Sequence, residues 1–361
     1  MKKNKRYSSK IDLILLLVPF LSIAQIPSGY YSNAEGNLDD DLKYELNQII
    51  DNHTEFYYTS SGTDVWDILK ETDRDPNNSN NVILIYSGIS VDAAQEYNNN
   101  NGWTREHVWA KSRGDFGTDI GVGTDVHALR PLDNTTNGIR NNRGFDNCSD
   151  CVDVYDKWSN NTGSKRDNTE WSFEPRNEVK GDVARMIFYM AVRYEGYDSY
   201  PDLELSETIL GNTDKSPLHG KLSTLIEWHR NDPVDSWEEN RNDIIYNNYQ
   251  NNRNPFIDYP ELAEHLWGNQ IHVEWNPSTL SLVDNAISNI SVYPSVVSDV
   301  LFITNVENSI IDIVVYNFLG EKVISTKNTN KVDVKELSSG VYIINIADGL
   351  HQTNRKFIKN S

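Results

Sequence analysis

The sequence has few cysteines, no long apolar run and a shortage of basic residues. Cys148 and Cys151 are the two cysteines among 361 residues, which excludes a disulfide framework. The mostly apolar run Leu13 to Ile23 has eleven residues, whereas a transmembrane helix needs about 20. Lysine and arginine number 33 against 53 acidic residues, giving a formal net charge of -20. Taken alone, this charge argues against a nucleic-acid partner, which normally meets a basic surface.

The first 24 residues have the pattern of a secretory signal peptide. A basic start precedes the apolar run, and Ser22-Ile23-Ala24 is a small-x-small cleavage site. We therefore expect an exported mature chain without a transmembrane segment. Hydrophobic residues make up 38% of the chain and charged residues 24%, which is a globular composition, and the length favours two domains.

The first domain is expected to be mixed and mostly helical. Apolar spacing predicts helices within residues 39–58, 179–194, 218–228, 234–249 and 259–267, the last one capped by Asp258. Val82 to Tyr86 (VILIY) predicts a short strand. The expected boundaries are a signal peptide over residues 1–24 and a first domain over residues 25–270.

The composition changes after about residue 270. Residues 271–288 are expected to be a polar linker, and residues 289–361 a small all-β sandwich. Its short apolar runs are separated by turn residues. The expected strands are Leu301–Thr304, Ile310–Tyr316, Lys322–Ser325, Val341–Ile346 and Lys356–Ile358. The chain as a whole is thus expected to be α+β.

The stretch from Gly102 to Asn142 contains a Glu106-His107 pair, and Asn137 follows thirty residues after His107. An imidazole titrates near neutral pH and can serve as a base. A carboxylate and an amide oxygen are hard ligands suited to Mg²⁺ or Ca²⁺, with Mn²⁺ as a further alternative. A base and a metal ion are what phosphodiester hydrolysis requires, so these three residues predict such a site.

Two features qualify this prediction. Adjacent strand residues face opposite ways, so a bend or bulge is expected to bring Glu106 and His107 to one centre. Residues 101–147 contain six basic and six acidic residues, and this neutral window in an acidic protein is expected to form a local cationic cleft.

The arrangement resembles the endonuclease I family of secreted or periplasmic bacterial nucleases, which have a ββα-metal core. Segments in the same order as in that family are Ile26–Gly36, Val82–Gly88, Arg105–Trp109, Asp125–Pro131, Asn137–Asn142, Gly181–Met186 and Asn252–Asp258. The resemblance covers roughly residues 26 to 268. It implies a metal-dependent, non-specific endonuclease that cleaves DNA, with RNA as an open extension of its substrates.

The resemblance also assigns roles to individual residues. It implies that His107 is the general base, that Glu106 and Asn137 bind the metal, and that an arginine contacts the scissile phosphate or the leaving group. The candidates for this arginine are Arg105, Arg130 and Arg140, and Arg143 is a further residue expected to hold phosphate. Two positions depart from the family: Ala128 replaces an expected Asn after His127, and Ala110 replaces a frequent Pro.

The C-terminal region resembles the type IX (Por) secretion sorting domain. The segments that support this are Val292–Pro294, Tyr316–Val323, Leu337–Tyr342 and Lys356–Lys359. The resemblance implies passage through the outer-membrane secretion machinery, with release or attachment at the cell surface. A monomer is expected.

Some alternatives stay open. A non-catalytic exported binding or adhesion protein that retains the nuclease fold would also fit Ala128. His127 is expected to support the site by hydrogen bonding and not to bind metal. Cys148 and Cys151 are expected to form a local disulfide, because a zinc site would need two further ligands at suitable spacing.

Overall fold

The computed structural model describes residues 26–277, 291–294, 296–304, 312–317, 321–327, 329–347 and 352–360. The expected signal peptide and most of the expected linker lie outside these residues. The chain divides into two compact units between Ile271 and His272, and Ala34–Leu38 is grouped with the second unit. Helix and strand amount to 29% and 27%, so the α+β class is confirmed, while the expected predominance of helix is not.

The first unit alternates short strands with helices. In chain order its elements are α1 Asp39–Ile50, α2 Val65–Thr72, β1 Arg74–Asp75, β2 Asn78–Ile83, β3 Ser90–Asp92, β4 Trp103–His107, β5 Leu129–Asp133, α3 Asn134–Arg140, β6 Gly144–Phe145, β7 Val152–Tyr155, β8 Asn161–Arg166, β9 Ser172–Glu174, α4 Lys180–Arg193, β10 Glu204–Ser206, β11 Leu218–Lys221, α5 Leu222–Asn231, α6 Ser236–Ile244, α7 Pro255–Asp258 and α8 Leu262–Trp267. The 3₁₀ turns are Asn98–Asn100, Val126–Ala128 and Asn177–Val179, and a π-helix spans Ile245–Gln250.

Helix α4 is the centre of the first unit. Every residue from Gly181 to Arg193 is buried, as expected for a helix enclosed by other elements. Helices α1, α5 and α7 pack against it. Asn47 of α1 donates its amide to the carbonyls of Val192 and Arg193, at 2.8 and 3.0 Å, which satisfies acceptors at the end of the helix. The helix expected over residues 179–194 is confirmed.

Two predicted elements begin or end elsewhere. Leu218–Lys221 forms strand β11, parallel to β10, and helix α5 begins after it at Leu222. Gly220 adopts a φ of 77° there, a conformation that cannot belong to a right-handed helix. Strand β2 ends at Ile83, so Leu84–Tyr86 are buried outside a strand.

The helix predicted over residues 259–267 is shorter, and its expected cap is wrong. Asp258 is the last residue of α7 and does not cap α8. Its carboxylate accepts two bonds from Arg253, at 2.6 and 2.8 Å. The ion pair with Arg253 thus occupies the carboxylate that was expected to cap α8. Helix α7 is capped by the side chain of Asn254.

Strands β4 and β5 and helix α3 follow one another in space. The two strands are antiparallel and regular in register, with His107 opposite Leu129. Helix α3 begins directly after β5, and the Asp133 side chain accepts the amides of Thr135 and Thr136 at 3.0 Å each. This cap fixes the helix to the end of the strand.

The second unit contains β12 Ser291–Tyr293, β13 Val296–Val297, β14 Val300–Thr304, β15 Asp312–Asn317, β16 Lys322–Lys327, β17 Lys331–Asp333, β18 Gly340–Ala347 and β19 Gln352–Lys359. They form one sheet in the order β12-β14-β17 and another in the order β13-β19-β18-β15-β16. Buried residues of both sheets, among them Leu301, Ile313 and Ile344, form one core. Each predicted strand overlaps an observed one, within the described residues.

Membrane-spanning helices were sought among the described residues. No helix there combines the length and the apolar character that crossing a bilayer requires.

We predict that Asp133→Ala destabilises the protein by about 1 kcal/mol, because helix α3 loses its N-cap. Urea unfolding of the purified protein measures this. Asp133→Asn should retain most of the stability, since an asparagine also caps helices. Asp153→Ala is the matched control because Asp153 is exposed and caps no helix. An unchanged unfolding midpoint in Asp133→Ala would contradict the capping role.

Candidate active site

A cavity of about 440 Å³ opens where β4 meets helix α3. It collects residues from four parts of the chain: the loop before α2, strand β4, the turn after it and the end of α3. The lining residues are Tyr58, Thr104, Arg105, Glu106, His107, Ala110, Lys111, Ser112, Asn137, Gly138, Asn141 and Asn142. The predicted base and both predicted metal ligands therefore lie in one cavity.

Glu106 is buried, with 2% of its surface exposed. The hydroxyl of Tyr86 donates to its Oε1 at 3.0 Å, and Nε of Arg140 lies 3.1 Å from the same oxygen. Burial raises the pKa of Glu106 to about 7, while Arg140 and Tyr86 oppose the rise. Both contacts fall on Oε1, so Oε2 stays available to a cation.

His107 is held in one orientation. Its ring stacks on Tyr58 with centroids 5.6 Å apart. Its Nε2 lies 3.0 Å from the carbonyl oxygen of Gly123, and because a carbonyl only accepts, Nε2 carries the proton. The neutral ring therefore has its lone pair on Nδ1. Burial lowers the pKa of His107 to about 3, with added repulsion from Lys111 and Arg105, so the imidazole is neutral near pH 7.

The bulge expected at Glu106 and His107 is absent, because the pairing of β4 with β5 is regular through both residues. Arg105 and His107 both stack on Tyr58, whereas Glu106 contacts Tyr86 on the other side of the strand. Both sides nevertheless line the cavity, which lies at the end of the strand. Glu106 and His107 therefore reach the same cavity because it opens at the end of β4, and no bulge is required.

Asn137 fits the role of a second oxygen ligand. Its amide nitrogen is 3.5 Å from the carbonyl of Arg105, and its Oδ1 accepts no hydrogen bond from the residues that the structure describes. Glu106 Oε2 and Asn137 Oδ1 are thus two uncommitted oxygens in one cavity, one of them on a buried carboxylate that lacks full neutralisation. This donor set suits a hard divalent cation that keeps most of its water.

Arg140 does not line the cavity, so the structure does not bring it to the other predicted site residues. The guanidinium is fully buried and donates to the carbonyls of Val108 and Asn141. Its Nη2 is 2.9 Å from Nε2 of His219. Together with the ion pair to Glu106, these contacts make Arg140 a support of the Glu106 carboxylate.

Arg130 is also directed into the protein. Its Nε is 2.5 Å from Asp73 and its Nη1 is 3.4 Å from Asp182, and 2% of the residue is exposed. Two carboxylates neutralise its charge, and it does not line the cavity. The structure thus places Arg130 in a buried ion-pair cluster, away from the other predicted site residues.

Arg105 lines the cavity, and Arg143 does not. The guanidinium of Arg105 lies between the rings of Tyr58 and Trp66, with centroids at 3.4 and 3.9 Å. Arg143 stacks on Trp171 at 3.8 Å and donates to a carbonyl of helix α3. The structure thus brings Arg105 to the site and leaves Arg143 in a packing role.

His127 lies away from the cavity in a buried polar cluster. Its Nε2 donates to the carbonyl of Asn252 at 3.2 Å, and its ring packs on Tyr189. Asp125 accepts the hydroxyls of Tyr189 and Tyr194, at 2.8 and 2.9 Å. Ala128 is buried beside this cluster. His127 thus forms hydrogen bonds as expected, but to Asn252 and not to a residue that lines the cavity.

The cysteines do not form the expected disulfide. Cys148 and Cys151 are free, with their sulfurs and a carboxylate oxygen of Glu174 within 4.8 Å of one another. Glu174 is already held by Lys180 at 2.6 Å and by the amide of Cys148.

Sequence reasoning missed Tyr58 and Tyr86, which orient the two central residues. Tyr86 lies in the segment VILIYSG, which predicts a strand and fits the family pattern but gives Tyr86 no individual role; Tyr58 carries no local signal. Their roles depend on contacts across 20 to 49 residues of chain.

A buried carboxylate, a neutral imidazole and an open polar cavity define the site of a hydrolase. The family model described as Endonuclease I matches residues 39–261, and the chain belongs to the endonuclease I family. It is an endonuclease, and its substrates are nucleic acids.

Relatives agree with this assignment. The chain is 52% identical over 256 residues to the extracellular ribonuclease of Bacillus subtilis (strain 168), covering 71% of this chain and 84% of that protein. It is 51% identical over 238 residues to the extracellular ribonuclease of Bacillus amyloliquefaciens, covering 66% and 78%. The non-catalytic alternative finds no support in these matches.

A second family model, the secretion system C-terminal sorting domain, matches residues 291–360. The expected resemblance to a type IX sorting domain is thereby confirmed. The protein is secreted.

We predict that Arg140→Met destabilises the protein by roughly 3–5 kcal/mol, because the buried carboxyl of Glu106 loses its counter-ion and two backbone carbonyls lose their donor. Urea unfolding measures the change. The double variant Glu106→Gln/Arg140→Met should recover part of the loss, since both charges are then removed. Additive single effects would show that the two side chains are not coupled.

We predict that stability falls as the pH drops from 6.5 to about 4, partly because of His127. Burial lowers its pKa to about 4, with Asp125 opposing and Arg241 and His53 assisting the shift. The unfolded chain then binds more protons in this window, so stability rises with pH by at most about 1.4 kcal/mol per pH unit.

Urea unfolding across that window, for the parent and His127→Gln, checks this. The variant should show a shallower slope. His107, His219 and His229, whose pKa values burial also lowers, should sustain the remainder. An identical slope in both proteins would contradict the assignment to His127.

Proposed function

We propose that the protein is a secreted, divalent-metal-dependent, non-specific endonuclease that hydrolyses phosphodiester bonds of DNA and RNA. The observation that carries the proposal is the convergence in one cavity of a neutral His107, the free Oε2 of Glu106 and the free Oδ1 of Asn137. RNA belongs to the proposed substrates because both Bacillus relatives are named extracellular ribonucleases.

His107 acts as the general base in this proposal. The Gly123 carbonyl holds Nε2–H and the Tyr58 ring fixes the plane, so Nδ1 is the atom that receives the proton. Water gives this proton to Nδ1 while its oxygen bonds to phosphorus, and the bond from phosphorus to the leaving oxygen breaks. The lowered pKa keeps the imidazole neutral before the reaction.

Glu106 and Asn137 would hold the metal ion, with Mg²⁺ proposed and Ca²⁺ or Mn²⁺ as alternatives. When bound, the cation supplies positive charge to the phosphate oxygens and the leaving oxygen. Strands β4 and β5 and helix α3 then constitute the ββα-metal core. Arg140 and Tyr86 orient the Glu106 carboxylate so that Oε2 is the ligand atom.

The proposed domain organisation assigns one role to each segment of the chain. Residues 1–24 serve as the signal peptide, 25–270 as the catalytic domain, 271–288 as the linker and 289–361 as the sorting domain that engages the outer-membrane machinery. The enzyme is proposed to work as a monomer.

We predict that His107→Ala lowers the cleavage rate about 10²–10⁴-fold, because the general base is lost. Glu106→Gln and Asn137→Ala should weaken the response of the rate to added Mg²⁺, and EDTA should abolish cleavage by the parent. Digestion of supercoiled plasmid and of total RNA by the purified protein measures all three effects and the substrate range.

Glu239→Gln is the matched control for Glu106→Gln, since Glu239 is exposed and outside the cavity. Added imidazole should partly restore the His107→Ala protein. Parental cleavage by His107→Ala, or cleavage that EDTA leaves unchanged, would overturn the mechanism.

A further inference from the structure

The cations of this region differ in whether their charge is already neutralised. Arg130 pairs with two aspartates, and Arg140 pairs with Glu106. Arg105, although at the cavity, is enclosed by Tyr58 and Trp66 with 8% of its surface exposed. A nucleic-acid substrate brings a negative charge that these arginines reach poorly, so an exposed side-chain cation is better placed to meet it beside the proposed metal ion.

Lys111 is an exposed cation on the cavity wall. Among the described residues its ammonium group has no hydrogen-bond or ion-pair partner. Lys111 and His107 line the same cavity. The charge of Lys111 therefore lies beside the place where the reaction is proposed to occur, and it is free to meet a phosphate.

Ser112, the next residue, also lines the cavity. Its oxygen accepts the amide of Asn142 at 3.2 Å, so its own O–H proton is uncommitted. Asn142 is in turn held by the Trp171 indole at 2.7 Å and by the carbonyl of Asn212 at 2.9 Å. A cation and a positioned hydroxyl donor thus stand side by side.

We propose that Lys111 binds a non-bridging oxygen of the substrate phosphate, assisted by the hydroxyl of Ser112. This proposal rests on the proposed function and adds the residue that receives the substrate's charge. The flexible ammonium of Lys111 follows the phosphate as its geometry changes, which a guanidinium enclosed by two rings does not do. Since Lys111 is exposed, its contribution is sensitive to salt.

The test compares Lys111→Ala, Lys111→Arg and Ser112→Ala in the full-length protein. Lys111→Ala should lower kcat/KM about tenfold, as expected for the loss of one charge-assisted contact. The slope of log kcat/KM against log salt should become shallower by ~0.9 on duplex DNA and ~0.7 on single strands. Lys111→Arg should retain most of the activity, and Ser112→Ala should weaken cleavage without altering the salt slope.

Lys165→Ala is the matched control. Lys165 is an exposed lysine on β8 that does not line the cavity, so its loss changes the net charge equally. A parental salt slope in Lys111→Ala, or the same modest change in Lys165→Ala, would overturn the assignment.

A binding measurement separates this proposal from the catalytic one. In a His107→Ala background, anisotropy of a short labelled duplex reports phosphate binding without cleavage. There, Lys111→Ala should weaken binding and reduce its salt dependence. Failure of His107→Ala to slow cleavage would count against the base, whereas unchanged duplex binding on removal of Lys111 would count against the phosphate contact alone.

Discussion

The buried carboxylate of Glu106 needs a counter-charge, and the geometry of the site follows from how that charge is supplied. Arg140 at the end of helix α3 pairs with Glu106 on strand β4, so the ion pair joins the two elements. Asn137 precedes Arg140 by three residues and thus lies on the same face of the helix. One buried pair therefore places a carboxylate and an amide oxygen together, while His219 holds the arginine from behind.

Local sequence patterns predicted those elements whose apolar spacing agrees with their packing in the fold. Helix α4 and the strands of the second unit were expected from apolar spacing alone, and the structure agrees. The predicted ends of helices were wrong where strand pairing or an ion pair determined the structure. Leu218–Lys221 was included in a predicted helix but pairs with β10, and the carboxylate of Asp258, the expected helix cap, binds Arg253 instead. Such competition across the fold has no local signature.

The candidate site divides in the same way. Glu106, His107 and Asn137 could be named from the sequence because donor type and motif order identify them. Their supports could not, because Tyr86 and Tyr58 reach the site from segments 20 and 49 residues away from the residues they contact. The alternation of side chains along a strand predicted a bulge at Glu106 and His107. The strand is regular, and the cavity opens at its end, which periodicity alone does not show.

The arginines show why residue type is a weak guide to the role of a charge. A guanidinium suits a bidentate contact with phosphate, which made Arg130 and Arg140 reasonable candidates. The same geometry suits a carboxylate, and inside the protein each of these arginines meets one first. Burial thus turns the cations that recognise anions best into structural groups. In this acidic protein, the proposed contact with the substrate's charge falls to Lys111, which lines the cavity, is exposed and has no ion-pair partner among the described residues.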